Sequence, residues 1–113
     1  MPTRVIRITG SNPSDGSLTL DYPNLETDRG DTVLWQYQQS GVYSITLIKE
    51  KSSTSKIWSK SPQKRGNNWT GDISDVATDY AEYEYSIFWK ASENGPEYKH
   101  DPKISINPSV KIL

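Results

Sequence analysis

Apolar and polar residues alternate in short runs along this chain, and glycine or proline cuts each run. Residues 4–8 (Arg-Val-Ile-Arg-Ile) predict a strand with Ile6 and Ile8 on one face. Residues 11–16 (Ser-Asn-Pro-Ser-Asp-Gly) are turn chemistry, because proline fixes φ and Asp-Gly favours a tight reversal. A strand over 17–20 follows and is broken at Pro23-Asn24. The turn Arg29-Gly30-Asp31 launches a strand over 32–37 in which Val33, Trp35 and Tyr37 share a face. After a turn at 38–41, residues 42–48 alternate with Tyr43, Ile45 and Leu47 on one side. The clearest pattern is at 80–89, where Tyr83, Tyr85, Ile87 and Trp89 oppose Glu82, Glu84 and Ser86. Residues 92–101 read as a loop around Asn94-Gly95-Pro96, and 103–107 as the last strand, ended by Pro108. No segment sustains a helical period, although 74–80 has room for one turn. The expected fold is an all-β, antiparallel Greek-key β-sandwich of about six to eight strands, one domain over 1–113. Strand phase puts Ile6, Ile8, Leu18, Val33, Trp35, Ile45, Leu47, Tyr85, Ile87, Ile104 and Ile106 in the core. A slip of one residue would turn a strand's whole apolar set outward.

Residues 49–71 break the pattern. They are polar, hold five serines, and are interrupted only by Ile57-Trp58 and Trp69. Lys49, Lys51, Lys56, Lys60, Lys64 and Arg65 stand against one acid, Glu50, whereas 72–84 carry Asp72, Asp75, Asp79, Glu82 and Glu84 and no base. Across all 113 residues, 13 Lys and Arg balance 14 Asp and Glu, for a formal charge of -1. Near-neutrality therefore conceals a basic half and an acidic half, and the balance argues against a dedicated nucleic-acid binder. Zero Cys excludes disulfides, thiolate metal sites and Cys nucleophiles, and a single His, His100, excludes a multi-histidine metal centre. No apolar run approaches the roughly 18 residues of a membrane helix. Residues 1–20 contain no signal-peptide core, so the chain as it stands reads as cytoplasmic, and as exported if Met1 is not the native start.

The order of these pieces resembles the cupredoxin-like family. Asp15-Gly16-Ser17-Leu18 and then Gly30-Asp31-Thr32-Val33-Leu34-Trp35 are similar to the Gly-Asp-x-Val-x-Trp/Phe turn and strand of plastocyanin-like domains. Tyr83-Glu84-Tyr85-Ser86-Ile87 resembles the Tyr-x-Phe/Tyr-x-Cys segment before the copper loop. Asp101-Pro102-Lys103-Ile104-Ser105-Ile106 resembles the closing strand of copper-free bacterial relatives. Together these cover most of the chain except 49–71. A blue-copper site needs two His, one Cys thiolate and usually an axial Met. Here Ile87 stands at the Cys position, Gln38, Gln39, Ser40 and Gly41 occupy the loop of the first His, and Met1 is the sole Met. The resemblance thus implies a copper-free domain with no cofactor and no electron transfer. A weaker resemblance is to bacterial inclusion-body proteins, which combine a Gly-Asp-x-x-x-Trp strand with a late Asp-Pro strand.

The basic segment is the leading binding candidate. Lys56, Lys60, Lys64 and Arg65 attract phosphate or sulfate, and Trp58 and Trp69 offer faces for stacking. The same two tryptophans also suit capping of an open sandwich end. Trp35 and Trp89 fall in core phase. His100, followed by Asp101, reads as a hydrogen-bonded loop residue rather than a lone metal ligand, since affinity comes from several ligands held together. The acidic run lacks the calcium-loop spacing and reads as a solvated face. Arg29-Gly30-Asp31 spells an integrin-binding tripeptide but serves as a turn, and Asn68-Trp69-Thr70 fits a glycosylation acceptor. One His cannot build a Ser-His-Asp site, the glycines are scattered, and nothing positions two carboxylates across a cleft, so no enzyme is expected. The first expectation is a non-catalytic binding module whose surface is 49–71 and whose partner is a protein, a polyanion or a polysaccharide. The alternatives are a structural protein that self-associates through sheet edges, and a carbohydrate-binding module.

Overall fold

The computed structural model describes residues 3–38, 40–50, 58–75 and 82–106. Ten strands run through them: β1 (Thr3–Asn12), β2 (Ser17–Leu20), β3 (Asn24–Thr27), β4 (Thr32–Gln36), β5 (Ser44–Glu50), β6 (Trp58–Arg65), β7 (Asn68–Ile73), β8 (Glu82–Lys90), β9 (Glu97–His100) and β10 (Lys103–Ile106). One sheet has the order β2-β1-β4-β7-β6. The other has β3-β10-β8-β5, with β9 beside the second half of β8. The helical turn expected within 74–80 falls mainly outside the described residues.

The two layers close on one core. Ile6 and Ile8 of β1, Val33 and Trp35 of β4, and Ile73 of β7 meet Tyr85, Ile87 and Trp89 of β8 and Ile104 and Ile106 of β10, all buried. Each such side chain contributes about 1.5–3 kcal/mol by leaving water. The polar atoms of Trp35, Tyr85 and Trp89 are matched across the layers. Trp35 Nε1 donates to Tyr85 Oη at 3.1 Å, with the rings 5.7 Å apart and edge-on, and Trp89 Nε1 donates to the Gly16 carbonyl at 2.9 Å. Burial pushes the Tyr85 phenol far above its ordinary pKa, so it remains protonated.

Three expectations change. Strand pairing is mixed, not wholly antiparallel: β1 runs parallel to β4 and β3 parallel to β10. After the β1–β2 hairpin the chain crosses to the second sheet as β3 and returns as β4, so β4 arrives in the direction of β1. Leu47, expected in the core, is 41% exposed, and Tyr43 is exposed with it. Ile45 pairs with Trp89 and Leu47 with Phe88, its neighbour on β8, so Thr46 is an extra residue. That bulge restarts the alternation and turns Ile48 inward in place of Leu47. Finally, β3, the β6–β7 hairpin and β9 lie where turns and loops were expected.

Asp31 fastens one end of the sandwich. It is 2% exposed, and its Oδ2 accepts from Arg4 Nε at 2.9 Å, Thr27 Oγ1 at 3.1 Å and the Asp28 N–H at 3.0 Å. Its carbonyl accepts the Ile73 N–H at 2.8 Å. Arg4 also reaches Asp28, which is 53% exposed. The Asp31 carboxylate and, after it, Asp28 hold the Arg4 guanidinium above its already high pKa. The Arg29-Gly30-Asp31 tripeptide therefore presents no free carboxylate. Asp31→Ala is expected to cost about 3 kcal/mol, because three donors lose a buried acceptor. Asp28→Ala is expected to cost less than about 1 kcal/mol, as for other exposed ion pairs. Urea denaturation of the two variants checks this, and equal losses would contradict the hub.

Candidate functional site

Residues 58–73 form an antiparallel hairpin reversed at Gly66-Asn67, with Gly66 at a φ of 61°, the left-handed region that glycine adopts without strain. Its register sorts the side chains. Trp58 lies opposite Ile73 and Lys64 opposite Trp69, while Lys60 lies opposite Asp72, Gln63 opposite Thr70 and Arg65 opposite Asn68. Directly paired residues share a face of the sheet. Trp58, Trp69 and Lys64 therefore stand on the inner side, Lys64 at its exposed margin. Lys60 and Arg65 stand on the outer side. Lys56 lies outside the described residues.

The tryptophans belong to the core. Trp69 is 6% exposed and pairs with Trp35 on β4. Trp58 is half-buried, its ring 5.9 Å from that of Trp35 and tilted by 51°. It lies over Gly71, where an added Cβ would come within 2.9 Å of its Cζ3. Only glycine leaves that space. Of the two rings expected as stacking anchors, Trp69 is buried and Trp58 half-buried on the inner side; the sheet separates them from Lys60 and Arg65, while Lys64 shares their side. Trp69 Nε1 is buried and finds no acceptor among the described residues.

The outer face is polar and carries two hollows. One, of about 190 Å³, is lined by Lys60, Gln63, Arg65, Thr70 and Asp72. Thr32 Oγ1 donates to Asp72 Oδ1 at 2.8 Å, and no ion pair among the described residues engages Lys60 or Arg65. The second, of about 330 Å³, lies on β1 and β4 and is lined by Arg7, Thr9, Gln36 and Gln38. Gln38 Nε2 donates to the Asn67 carbonyl at 3.0 Å and to Asn68 Oδ1 at 3.2 Å, tying this part of the face to the hairpin turn. Gln36, Gln63 and Thr70 were not singled out from the sequence. Their one signal was opposite phase to the core residues, which any solvated strand shares.

His100 is in β9 rather than a loop. Its Nδ1 accepts the Leu18 N–H at 3.3 Å, which joins β9 to β2 of the other sheet. Burial pushes its pKa below the ordinary value, while Asp101 and Asp15 pull it back up. Asp101 accepts from Ser86 Oγ at 2.7 Å. Of the acidic run, Glu84 is exposed on β8 opposite Lys103 and Asp72 belongs to the hairpin, so these two acids lie on different sheets. Asp79 falls outside the described residues.

No protein-family model matches the chain, and no curated protein matches it. Among solved structures, the fold is similar to a cysteine protease inhibitor, EhICP2, from Entamoeba histolytica. The TM-score is 0.42 at 9% sequence identity, over 95% of this chain and 97% of that one. Likeness at this level carries neither a family nor an activity across.

Two measurements follow from this geometry. Trp35→Phe removes a buried hydrogen bond and leaves Tyr85 Oη without that donor, whereas Trp69→Phe removes an N–H that donates to nothing described. The former should cost about 1–2 kcal/mol more in chemical denaturation. Equal costs would mean that Trp69 has an acceptor. For His100, the folded pKa lies below the unfolded value of about 6.5. Its contribution is thus complete above that value and lost as pH falls through the folded pKa. Between pH 7.5 and 5 the wild type should lose stability relative to His100→Asn, and a constant difference would contradict the acceptor role of Nδ1.

Proposed function

We propose that the protein is a non-catalytic binding module on a cupredoxin-like scaffold without copper ligands, and that it contacts an anionic polysaccharide through the outer face of its five-stranded sheet. The reading rests on Lys60 and Arg65, two exposed cations in no ion pair among the described residues, flanking a hollow with Gln63 and Thr70. Guanidinium and ammonium groups suit sulfate or carboxylate substituents. The amides and hydroxyls of Gln36, Gln63 and Thr70 suit sugar hydroxyls, which both donate and accept. The contact surface keeps cations of the basic segment and extends to Gln36 of β4, and its polar anchors take the place of the tryptophans. Stacking on tryptophan, the basis of an uncharged carbohydrate module, has little support from a buried Trp69 and a half-buried Trp58. The copper-free scaffold has its own support. Ile87, at the position of the copper thiolate in the resemblance, is a fully buried core residue, and His100 Nδ1 is occupied by a backbone N–H.

Fluorescence anisotropy with a fluorescein-labelled heparin octasaccharide tests the reading. Binding should saturate at about 50 mM salt and weaken at least about tenfold by 300 mM, as counterions compete for the cations. The double variant Lys60→Ala/Arg65→Ala should lose at least about tenfold in affinity and keep its thermal midpoint, because both side chains are solvent-facing. Full affinity in that variant, or no binding at low salt, would sink the proposal.

A further inference from the structure

A second surface lies at the opposite side of the same sheet. β2 leaves β1 at Arg7, where the Asp21 N–H donates to the Arg7 carbonyl at 3.0 Å and Asp21 Oδ1 accepts the Arg7 N–H at 2.8 Å. The chain then crosses to the other sheet as β3. From Thr3 to Ile6, β1 pairs only with β4 among the described residues. Backbone groups point alternately to the two sides of a strand. Those of Arg7 point to the β2 side, so those of Val5 point into the space that β2 has left. On β3 the Pro23 carbonyl accepts the Lys103 N–H at 3.0 Å, so Leu25 and Thr27 face β10, and Asn24 and Glu26 direct their backbone groups away from it. Both open edges border one hollow of about 550 Å³, lined by Arg4, Val5 and Arg7 from β1, Tyr22 from the crossing, and Leu25 and Glu26 from β3.

We infer that this hollow is a docking groove for an extended segment of a partner protein, which adds as a strand to the edge of β1 beside Val5. A strand is the occupant that satisfies the backbone groups on that edge. The groove lies at the open margin of the five-stranded sheet, where an added strand takes a place about 5 Å from β1 in the direction of the ladder. β3 and the exposed Tyr22 wall it on one side. That wall selects a detached segment over a second copy of this chain, because the β1 edge of another copy sits behind the same wall and cannot reach in. Charge narrows the partner further. Arg7 is 62% exposed, and its ion-pair partner is Asp21 at 3.9 Å. Arg7 shares the outward face with Val5, so an acidic side chain opposite Val5 on the incoming strand lies diagonal to Arg7, within reach of its guanidinium. The segment is thus extended and acidic at one outward position. This groove does not depend on Lys60 or Arg65, and the two proposals fail separately.

The test titrates the ¹⁵N-labelled full chain with the peptide acetyl-TVTDVTV-amide and with two versions N-methylated at alternate residues, each blocked along one edge. The expected result is saturable amide shifts centred on Val5 and Glu26. One blocked peptide should lose at least about tenfold in affinity while the other keeps it, since only one edge pairs with β1. Arg7→Ala should weaken the acidic peptide about threefold and leave its Asp→Asn analogue unchanged. Absence of binding, equal binding of both blocked peptides, or shifts confined to the Lys60–Arg65 face would each overturn the inference. So would slow hydrogen exchange of the Val5 amide in the protein alone, or a concentration-dependent mass with shifts in β1, because either would show the edge already taken.

Discussion

The buried carboxylate of Asp31 is the constraint on which the other placements rest. A charge at 2% exposure is costly unless donors surround it, and here Arg4, Thr27 and the Asp28 N–H all converge on one oxygen. The donors come from β1, β3 and the turn before β4, so one atom joins an element of each sheet. The backbone of the same turn extends the join to β7: Gly30 donates to the Ile73 carbonyl at 3.1 Å, and Ile73 donates to the Asp31 carbonyl. With β1 and β7 set on either side of β4, Val33 and Trp35 are committed to the core.

The same register decides what the hairpin can offer a partner. Once Trp69 pairs with Trp35 and Gly71 with Val33, the alternate residues Thr70 and Asp72 must face out. β6 follows this alternation as far as its two irregularities allow, which puts Lys60, Gln63 and Arg65 beside Thr70 and Asp72. Gly71 is where packing inside and chemistry outside meet. Its missing side chain admits the Trp58 ring on one face, and its backbone contributes to the floor of the hollow on the other. The rings brace the sheet from behind, and the cations keep their freedom in water.

Much of the fold was legible because it follows from period two. β2, β4 and β10 alternate cleanly, β1 does so as far as Ile8, and β8 departs at the buried Ser86; Ile6, Val33, Trp35, Tyr85, Ile87 and Ile104 are buried as their phase requires. The missed strands lack that signal for particular reasons. β3 offers Leu25 and Thr27 to the core, and the burial of Thr27 is explained only by Asp31, its partner in space. β6 is an edge strand with a single inward tryptophan and a proline, so its composition is that of a loop. Leu47 failed because a bulge is invisible to a count of two. The cations of the site could be read as cations, but which face they occupied depended on pairing with β7, and no local pattern carries that.

Edges connect the fold to its capacity for contact. A sandwich exposes strand edges, and natural sheets blunt them. β6 does so three ways: Pro62 supplies no N–H, its pairing with β7 shifts register twice, and Lys60, Lys64 and Arg65 surround it with like charge. β5 carries the bulge at Thr46, whose hydroxyl is held by Glu97 Oε2 at 2.6 Å and by the Phe88 carbonyl at 3.2 Å. β2 is four residues long. Self-association through these margins is thus opposed by their own chemistry. The first residues of β1 keep a straight register and hold no proline, and the charges among and beside them, Arg4 and Arg7, are each paired with aspartate. Their neighbour departs at Arg7, and Asp21 closes the ladder there with a carboxylate in place of a peptide. An edge ended so deliberately beside a hollow differs in kind from one that is merely short, because an acidic side chain stops the ladder at Arg7 and, among the described residues, no strand pairs with the rest of that edge.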